Sequence, residues 1–363
     1  MHEIELHLAE GRNIHNMVTY KKYFSLIAFA FILAGCSDKP QMVLYTWSDM
    51  FPPEIIDSFE KEKGIKVRYA NFDANETMIA RLISAKGGSY DIIIADDYMI
   101  ENVIAEGLAQ KIDRSRLTNY RNINHLYQKQ FYDPDDAYTI PYGAGVQTIV
   151  YDPEKVQISI NGYFDLWDPS LARRVGIIDN FRVIIGMALK ILGESYNTND
   201  AEKIEYAGKL LKEFAPNIRL IRDDKLEDEL VSGEIYAAVM YTSQVTMAKM
   251  ERPELEMVFP AEGIGFGIMA AFIPVNAPNA SAAYLFLDYI LEAERGAECF
   301  EYLGYYSTFS ASDPLISAEF REFLTLPGKL FDLDSMEMIQ NITPEAEAVH
   351  SRVWTEFKSA TGR

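Results

Sequence analysis

An aromatic ring, a hydroxyl group and a carboxylate follow one another at Trp47, Ser48 and Asp49. They end an apolar run that begins at Val43 and predicts a short buried strand. In an open α/β sheet, ligands bind beyond the carboxyl ends of the strands, so these side chains are expected to reach into a crevice. An indole face attracts a cation and a carboxylate accepts its N–H bonds, so the stretch suits an organic ammonium ion. The alternative is a strand-to-helix turn in which Trp47 belongs to the core and Asp49 or Ser48 caps the helix.

A second strand end offers the same kinds of side chain. The strand predicted at 91–95 begins with Asp91 and is then continuously apolar from Ile92 to Ala95, which is typical of a strand that is buried on both faces. Asp96, Asp97 and Tyr98 follow it. Neighbouring residues on an extended chain point in opposite directions, so one carboxylate is expected to face the crevice and the other to face solvent. This arrangement favours ligand binding over acid–base catalysis by a pair of carboxylates.

Several kinds of catalytic site lack the residues that they need. Beyond the N-terminal leader the only histidines are His125 and His350, and neither belongs to an H-E-x-x-H motif. A zinc site or a Ser-His-Asp triad is therefore not expected. Neither G-x-G-x-x-G nor G-x-x-x-x-G-K-[ST] is present, and the cluster Gly263, Gly265 and Gly267 is interpreted as a turn or hinge. We predict a binding protein rather than an enzyme, with no cofactor and no metal.

Charge and length narrow the class of protein further. With 54 acidic and 34 basic residues, the chain has a net charge of −20. It has no basic excess to neutralise phosphates, so nucleic acid is not an expected partner. The acidic balance allows a cationic ligand without demonstrating one. A length of 363 residues predicts two domains of about 150 residues each.

The N-terminus has the pattern of an export signal. Two lysines precede the apolar run 23–33, and small residues then lead to Cys36. The pattern is similar to a bacterial lipobox, which implies a signal peptide at 1–35, lipidation of Cys36 and a tether at 36–41 that holds the protein on a membrane. The distance from the first residue to the lysines favours Met17 as the true start. The alternatives are an ordinary signal or a single membrane span, although the run is short for a bilayer.

Strands and helices alternate along the rest of the chain, which is typical of an α/β fold. For the first half we predict a strand at 43–47, a helix at 52–63, a strand at 65–72, a helix at 76–85 and a strand at 91–95. For the second half we predict a strand at 175–179, helices at 184–192 and 201–214, and strands at 235–241 and 270–275. The Gly- and Pro-containing segment 140–145 is the expected boundary between the two halves.

The chain also resembles the spermidine/putrescine-binding proteins of bacterial ABC importers. The resemblance extends over nearly all of residues 42–363 and depends on short segments that occur in one order. These segments are Trp47-Ser48-Asp49, 59–67, Asn75-Glu76-Thr77-Met78, Tyr90-Asp91-Ile92, 110–117, Ile140-Pro141-Tyr142, Met187-Ala188-Leu189, Pro216-Asn217-Ile218-Arg219, Ser232-Gly233-Glu234, Phe259-Pro260-Ala261-Glu262-Gly263 and Val353-Trp354. The resemblance implies a two-lobed periplasmic-binding-protein fold of type II, an α/β fold in which hinge strands join two lobes around a central ligand cleft.

The resemblance also implies where the two lobes lie in the sequence. Lobe one would comprise residues 41–143 plus 269–311, and lobe two would comprise residues 146–265 plus 316–363. Each lobe is then discontinuous. The first crossing between them falls at the boundary 140–145 that the composition indicates.

The same comparison implies which side chains line the cleft. The ligand-binding positions are Trp47, Ser48, Asp49, Asp96, Tyr98, Asn180, Tyr241, Met269, Tyr305 and Gln340. Asp96 adds an acid where the family usually has serine. Tyr241 replaces a family tryptophan with a weaker aromatic partner for a cation, and Gly267 stands at a stacking tryptophan.

Several positions of the cleft lack the acids of the family. Asn180 and Val183 stand where spermidine-binding relatives have acidic residues. Gln244 stands at an aspartate of the putrescine-type proteins, and Met269 at the acid that holds the second amine. A buried carboxylate–ammonium bond contributes about 1.5–3 kcal/mol. The loss of several such bonds predicts weaker polyamine binding, for which Asp96 and Asp179, the residue next to Asn180, would compensate in part.

Taken together, the sequence predicts a substrate-binding lipoprotein that catalyses no reaction. It would capture a putrescine- or spermidine-like polyamine between two closing lobes and deliver it to the permease subunits of an ABC importer. We expect an exported monomer in the periplasm or at the cell surface, anchored to a membrane by its N-terminal lipid. One alternative keeps the transport role but changes the ligand to a mono-amine or an amino-acid-like solute. Another is a signalling or adhesive lipoprotein without a transport role.

Overall fold

The computed structural model describes residues 40–223, 225–323 and 336–362 of the chain. The predicted signal peptide and Cys36 lie outside these ranges, so lipidation stays a prediction. None of the helices within the described ranges combines the length and the hydrophobicity needed to cross a membrane.

The described elements alternate between strands and helices. The strands are β1 (Gln41–Thr46), β2 (Lys66–Asn71), β3 (Ile92–Asp96), β4 (Thr139–Tyr151), β5 (Val175–Ile177), β6 (Ile218–Ile221), β7 (Ala237–Tyr241), β8 (Glu256–Val258), β9 (Ile264–Phe272), β10 (Tyr306–Ser307) and β11 (Met336–Met338). The α-helices are α1 (Pro53–Lys63), α2 (Asn75–Ser84), α3 (Asp97–Ala105), α4 (Phe181–Ile191), α5 (Ala201–Phe214), α6 (Leu226–Val231), α7 (Thr242–Glu251), α8 (Ala280–Ile290), α9 (Ala293–Leu303), α10 (Ala318–Phe323) and α11 (Pro344–Ala360). The predicted α/β class is therefore confirmed.

Three parallel strands form one side of the sheet. β1 pairs with β2 and with β3, and both pairings are parallel. Helix α1 begins at Pro53. Proline has no backbone N–H group, and at the first position of a helix such a group would have no acceptor within the helix. It ends at Gly64, whose φ of 68° is a left-handed conformation that glycine adopts without strain. Because the three strands are parallel, their carboxyl ends lie at one common edge.

A second set of parallel strands forms the other side of the sheet. β5 pairs in parallel with β6 and with β7, so their carboxyl ends also share an edge. β6 was not predicted from the sequence. It has only 4 residues, and Arg219 interrupts their apolar run, whereas the similarly short β5 is apolar and buried throughout.

Two long antiparallel strands connect the two sets. β9 pairs with β3 and with β4, and β4 continues along the sheet to pair with β7. The order of strands is therefore β2-β1-β3-β9-β4-β7-β5-β6. The predicted boundary segment 140–145 lies within β4, so the chain passes through it as a continuous strand.

The glycine cluster lies largely in a strand, and the prediction of a turn at this place was wrong. Gly265 and Gly267 are part of β9, which begins at residue 264 and not at 270 as predicted. A β-carbon at Gly265 would come within 2.1 Å of the side chain of Gln147 on the neighbouring strand β4. Glycine is present here because another side chain occupies the space above the strand.

The core lies on both faces of the sheet. In β1, Leu44 packs into one hydrophobic cluster and Tyr45 into another, and in β3 Ile92 and Ile93 alternate in the same way. All four side chains are completely buried. Burial on both faces explains why residues 92–95 are continuously apolar.

Candidate functional site

The carboxyl ends of the two sets of parallel strands face each other across the middle of β4. Asp96, at the end of β3, lies opposite Met269 of β9, which in turn lies opposite Gly143 of β4. Tyr241, at the end of β7, lies opposite Gln147 of β4. The two ends are thus four residues apart along β4, a distance of about 13 Å in a strand. We take the space between them as the candidate site, since ligands of α/β proteins bind beyond the carboxyl ends of strands.

Tyr305 lies over this central part of β4. A β-carbon at Gly145 would be 3.2 Å from the tyrosine ring, and one at Gly143 would be 3.6 Å from it. The same β-carbon at Gly143 would be 3.2 Å from Cε of Met269. The two glycines therefore leave room for the Tyr305 ring and for Met269 between the two strand ends.

Asn75 connects two of the predicted ligand-binding residues. Its side-chain amide donates to Oδ2 of Asp96 at 2.8 Å and to the hydroxyl of Tyr98 at 2.9 Å. Asn75 is the first residue of α2 and is only 2% exposed, so a rigid element holds both partners in place. Sequence analysis missed Asn75 as a site residue. Its place between a strand end and the next helix was the available signal.

The neighbouring carboxylates Asp96 and Asp97 have different environments. Asp96 is partly exposed. Burial raises its pKa to about 6, although the hydrogen bond from Asn75 lowers it, and the charge of Glu76 raises it. Asp97 is 1% exposed and accepts a hydrogen bond from the backbone N–H of Ile268 at 2.9 Å. The prediction that the second carboxylate faces solvent was wrong, because Asp97 is buried in the protein interior.

Asn180 and Tyr241 are joined on the other side of the site. The amide nitrogen Nδ2 of Asn180 donates to the Tyr241 hydroxyl at 3.0 Å. Its oxygen Oδ1 accepts from the backbone N–H groups of Arg182 and Val183 at 3.1 and 3.2 Å and so caps the N-terminus of α4. Asn180 therefore fixes the start of a helix and the position of a predicted ligand-binding ring at the same time.

Asn180→Ala is expected to lower the free energy of unfolding by about 1–2 kcal/mol, because the helix loses its cap and the tyrosine loses its partner. Asn180→Asp keeps an oxygen for the cap and is the matched control, with a smaller expected loss. Chemical denaturation of both variants measures the difference. Equal midpoints for the two variants would contradict the capping role.

Negative charges from both sides of the site act on the same tyrosines. The pKa of Tyr241 is raised well above its ordinary value. Burial is the largest cause, and the charges of Asp223 and Asp96 raise it further. Burial and the same two carboxylates also raise the pKa of Tyr305. Both phenols thus lie within electrostatic reach of an acid from each side. Five predicted residues come together here, namely Asp96, Tyr98, Asn180, Tyr241 and Tyr305.

A buried arginine that sequence analysis did not single out lies beside this group. The guanidinium of Arg182 is 5.5 Å from the ring centre of Tyr98 and is 2% exposed. Its Nη2 donates to the backbone oxygens of Gln340 at 3.0 Å and Tyr196 at 3.4 Å, and to Oδ1 of Asn197 at 3.3 Å. Arg182 therefore holds the backbone at Gln340 against α4, and it already supplies one cation to Tyr98.

Trp47, Ser48 and Asp49 lie at the end of β1, with the two polar side chains exposed. Trp47 is half-buried, and its ring centre is 4.6 Å from that of Phe72. Asp49 has a φ of 54°, a left-handed conformation that Asp tolerates better than most residues. Its charge raises the pKa of Tyr69, for which burial is the larger cause. Asp49 thus acts on a tyrosine other than those within reach of Asp96.

The remaining predicted positions either have apolar side chains or make their contacts through backbone atoms. Met269 is 8% exposed and Val183 is 3% exposed, and each packs into a hydrophobic cluster. The side chain of Gln340 is exposed, while its backbone oxygen binds Arg182. Asp179, the acid next to Asn180 that the sequence analysis considered as a substitute, accepts hydrogen bonds from Nζ of Lys358 at 3.2 Å and from Nε1 of Trp354 at 3.3 Å.

Comparison with known proteins gives matches over most of the chain. A family model described as bacterial extracellular solute-binding protein matches residues 54–322. The chain is 31% identical over 338 residues to the spermidine/putrescine-binding periplasmic protein of Salmonella typhimurium, covering 92% of this chain and 96% of that relative. It is 28% identical over 372 residues to the putrescine-binding periplasmic protein PotF of Escherichia coli, with 93% and 98% covered.

A solved structure with a related name also matches the fold of this chain. The fold matches that of a putative spermidine/putrescine ABC transporter protein from Listeria monocytogenes with a TM-score of 0.82 and 28% identity. The match covers 88% of this chain and 98% of the Listeria chain. The two-lobed α/β fold that the sequence predicts is therefore confirmed.

Proposed function

We propose that this chain, which belongs to the spermidine/putrescine-binding family of bacterial extracellular solute-binding proteins, captures a putrescine- or spermidine-like polyamine and delivers it to an ABC permease. Members of this family bind solutes for transport and are not enzymes. The family acts outside the cytoplasm, in the periplasm or at the cell surface. What remains to be assigned is the ligand and the residues that hold it.

The observation that carries the proposal is a partly exposed carboxylate among aromatic rings. Asp96 lies beside Tyr98, to which Asn75 connects it, and its charge reaches Tyr241 and Tyr305. A carboxylate accepts the N–H bonds of an ammonium group, and phenol rings pack against methylene groups and attract the cation. This combination suits an alkyl amine better than a sugar or an anion.

The two-sided site gives the proposal its mechanism. Asp96 and Tyr98 lie at the carboxyl end of β3, in one set of strands, whereas Asn180 and Tyr241 lie at the carboxyl ends of β5 and β7, in the other set. A ligand that contacts both sets binds better when the two lobes are closed, so it shifts the population towards the closed form. The permease would then recognise that form. The lobe boundaries proposed for this motion are 41–143 plus 269–311 and 146–265 plus 316–363.

We also propose that the chain is a lipoprotein. Lipidation of Cys36 would tether the lobes to a membrane through residues 36–41 and keep a monomeric carrier close to its permease. Labelling of expressing cells with a radioactive fatty acid tests this, since a Cys36→Ser variant would lose the label and would be released from membranes.

Calorimetric titration of residues 37–363 with putrescine, cadaverine, spermidine and spermine tests the choice of ligand. We expect binding in the micromolar range or tighter for at least one of them. The diol 1,4-butanediol has the same chain length as putrescine without its charges, and it should not bind. Flat titrations with all four polyamines from a folded sample would overturn the proposal.

A second candidate is a ligand with a single ammonium group. The apolar, buried side chains of Met269 and Val183 favour it, because they leave those two positions without an acid. Titration with n-butylamine and with amino acids separates the two candidates. A mono-amine that binds as tightly as the diamine of the same length would favour the second.

A further inference from the structure

We propose that Asp223 binds the second ammonium group of a diamine whose first ammonium group is bound by Asp96, and so gives the site its preference for diamines over mono-amines. The inference rests on the proposed function, because it names a second acid for the same ligand. It answers the question that Asn180 and Val183 raise, namely which carboxylate serves the side of the site that lies across β4 from Asp96.

The sheet brings Asp223 to the correct edge. β5 pairs in parallel with both β6 and β7, with Ile177 opposite Ile221 in the first pair and opposite Val239 in the second. The backbone N–H of Arg222 still donates to the oxygen of Ile177 at 3.1 Å, so the ladder ends only there. Asp223 thus directly follows the residue that makes the last backbone hydrogen bond between β6 and β5, on the edge that also carries Tyr241.

A single amide side chain holds Asp223 next to Tyr241. Nε2 of Gln244 donates to the backbone oxygen of Asp223 at 2.9 Å. Oε1 of the same residue accepts from the backbone N–H of Tyr241 at 3.2 Å. Gln244 replaces an acid of the putrescine-type relatives, and here it positions the backbone that carries another acid. Asp223 would therefore substitute for the carboxylate that the putrescine-type relatives have at position 244.

Charge and exposure fit this role. The side chain of Asp223 is exposed, so a ligand can reach it from the site. Its charge and that of Asp96 raise the pKa of the same two phenols, Tyr241 and Tyr305. The two carboxylates thus act on the same rings from opposite sides of the sheet, since β3 ends four residues from β7 along β4 and β6 lies two strands beyond β7. An alkyl chain with a cation at each end can contact an acid on both sides with the rings between them.

Titration of Asp223→Asn with putrescine and with n-butylamine tests the inference. These two ligands have the same carbon chain and differ in one ammonium group. We expect the variant to bind putrescine about five- to tenfold more weakly than the wild type, with unchanged affinity for n-butylamine, since an exposed ionic contact contributes modestly. The matched control is Asp228→Asn, which removes an exposed charge from the nearby helix α6 and should leave both affinities unchanged.

Each outcome separates the inference from the proposed function. If the wild type binds putrescine and Asp223→Asn keeps the same ratio of the two affinities, the inference is overturned and the proposed function stands. If Asp228→Asn weakens putrescine binding as much as Asp223→Asn does, the change in net charge causes the weaker binding, and the inference is also overturned. If the folded wild type binds neither ligand, the proposed function itself fails. Thermal unfolding of each variant verifies that the proteins compared are folded.

Discussion

Replacement of Asp96 with asparagine is expected to weaken polyamine binding by about a hundredfold, because a hydrogen bond to a charged partner contributes about 1.5–3 kcal/mol. Asparagine has the same shape, and its oxygen can still accept the bond that Asn75 donates to Asp96 at 2.8 Å. The variant therefore removes the charge and keeps the surrounding structure. Calorimetric titration with putrescine and spermidine at pH 7.5 measures the loss.

The same substitution is expected to stabilise the ligand-free protein. Burial raises the pKa of Asp96 to about 6 in the folded state, whereas an aspartate in an unfolded chain has a pKa of about 3.9. At pH 7.5 the folded protein holds a carboxylate where its charged form is disfavoured. Because Asp96 is partly exposed, we expect a gain of about 1–2 kcal/mol rather than the full difference. A higher melting temperature together with weaker binding would identify a residue kept for its ligand and not for the fold.

Asp49→Asn is the appropriate comparison, since the sequence analysis assigned an ammonium group to Asp49 as well. In the structure its side chain is exposed at the end of β1, and its charge acts on Tyr69. We therefore expect a smaller loss of affinity than for Asp96→Asn and no gain in stability. Abolished binding in Asp49→Asn with intact binding in Asp96→Asn would exchange the roles of the two carboxylates.

The elements that position these residues could be predicted because the signal is local. A continuous apolar run such as 92–95 indicates a buried strand, and Asp96 and Tyr98 follow it directly. The strand-end rule then places both at a ligand-binding edge without any knowledge of the remaining chain. In the same way, Pro53 and Gly64 indicate where α1 begins and ends.

The residues that were missed depend on contacts between distant parts of the sequence. Asp223 lies beyond a short strand whose apolar run is interrupted, although the rule that indicated Asp96 applies to it equally. Arg182 became visible only when the fold brought it next to Tyr98, and the hydrogen bond of Asn75 to Tyr98 likewise depends on the fold. Gly265 resembles a turn residue locally, whereas its real reason is the side chain of Gln147 on the adjacent strand. Contacts between strands and helices that are far apart in the sequence decide all of these neighbours, and no short stretch of sequence contains that information.

Polyamine affinity is expected to fall by about a hundredfold between pH 7 and pH 4, because the carboxylate of Asp96 must be ionised to bind an ammonium group. Burial raises its pKa to about 6, so the ionised fraction decreases about tenfold for each pH unit below that value. Alkyl ammonium groups stay protonated throughout this range. Titrations at pH 7, 6, 5 and 4 measure the profile, and Asp96→Asn should show a much flatter one. The pKa of the buried His350 is lowered to about 3 by burial, so this histidine does not titrate within the window.

The pH dependence of stability distinguishes the loss of polyamine affinity at low pH from acid unfolding. The pKa of Asp96 is higher in the folded state than in the unfolded state, so the folded state binds the proton more tightly. The contribution of Asp96 to stability therefore increases as the pH falls from above 6 to about 4, while polyamine affinity decreases over the same range. Burial also raises the pKa of the nearby Glu76, which contributes with the same sign. Melting temperatures of the ligand-free wild type and of Asp96→Asn at each pH separate the contribution of Asp96 to stability from the contributions of the other titrating groups. The difference between them should shrink as the pH falls, and a constant difference would show that Asp96 does not take up a proton in this range.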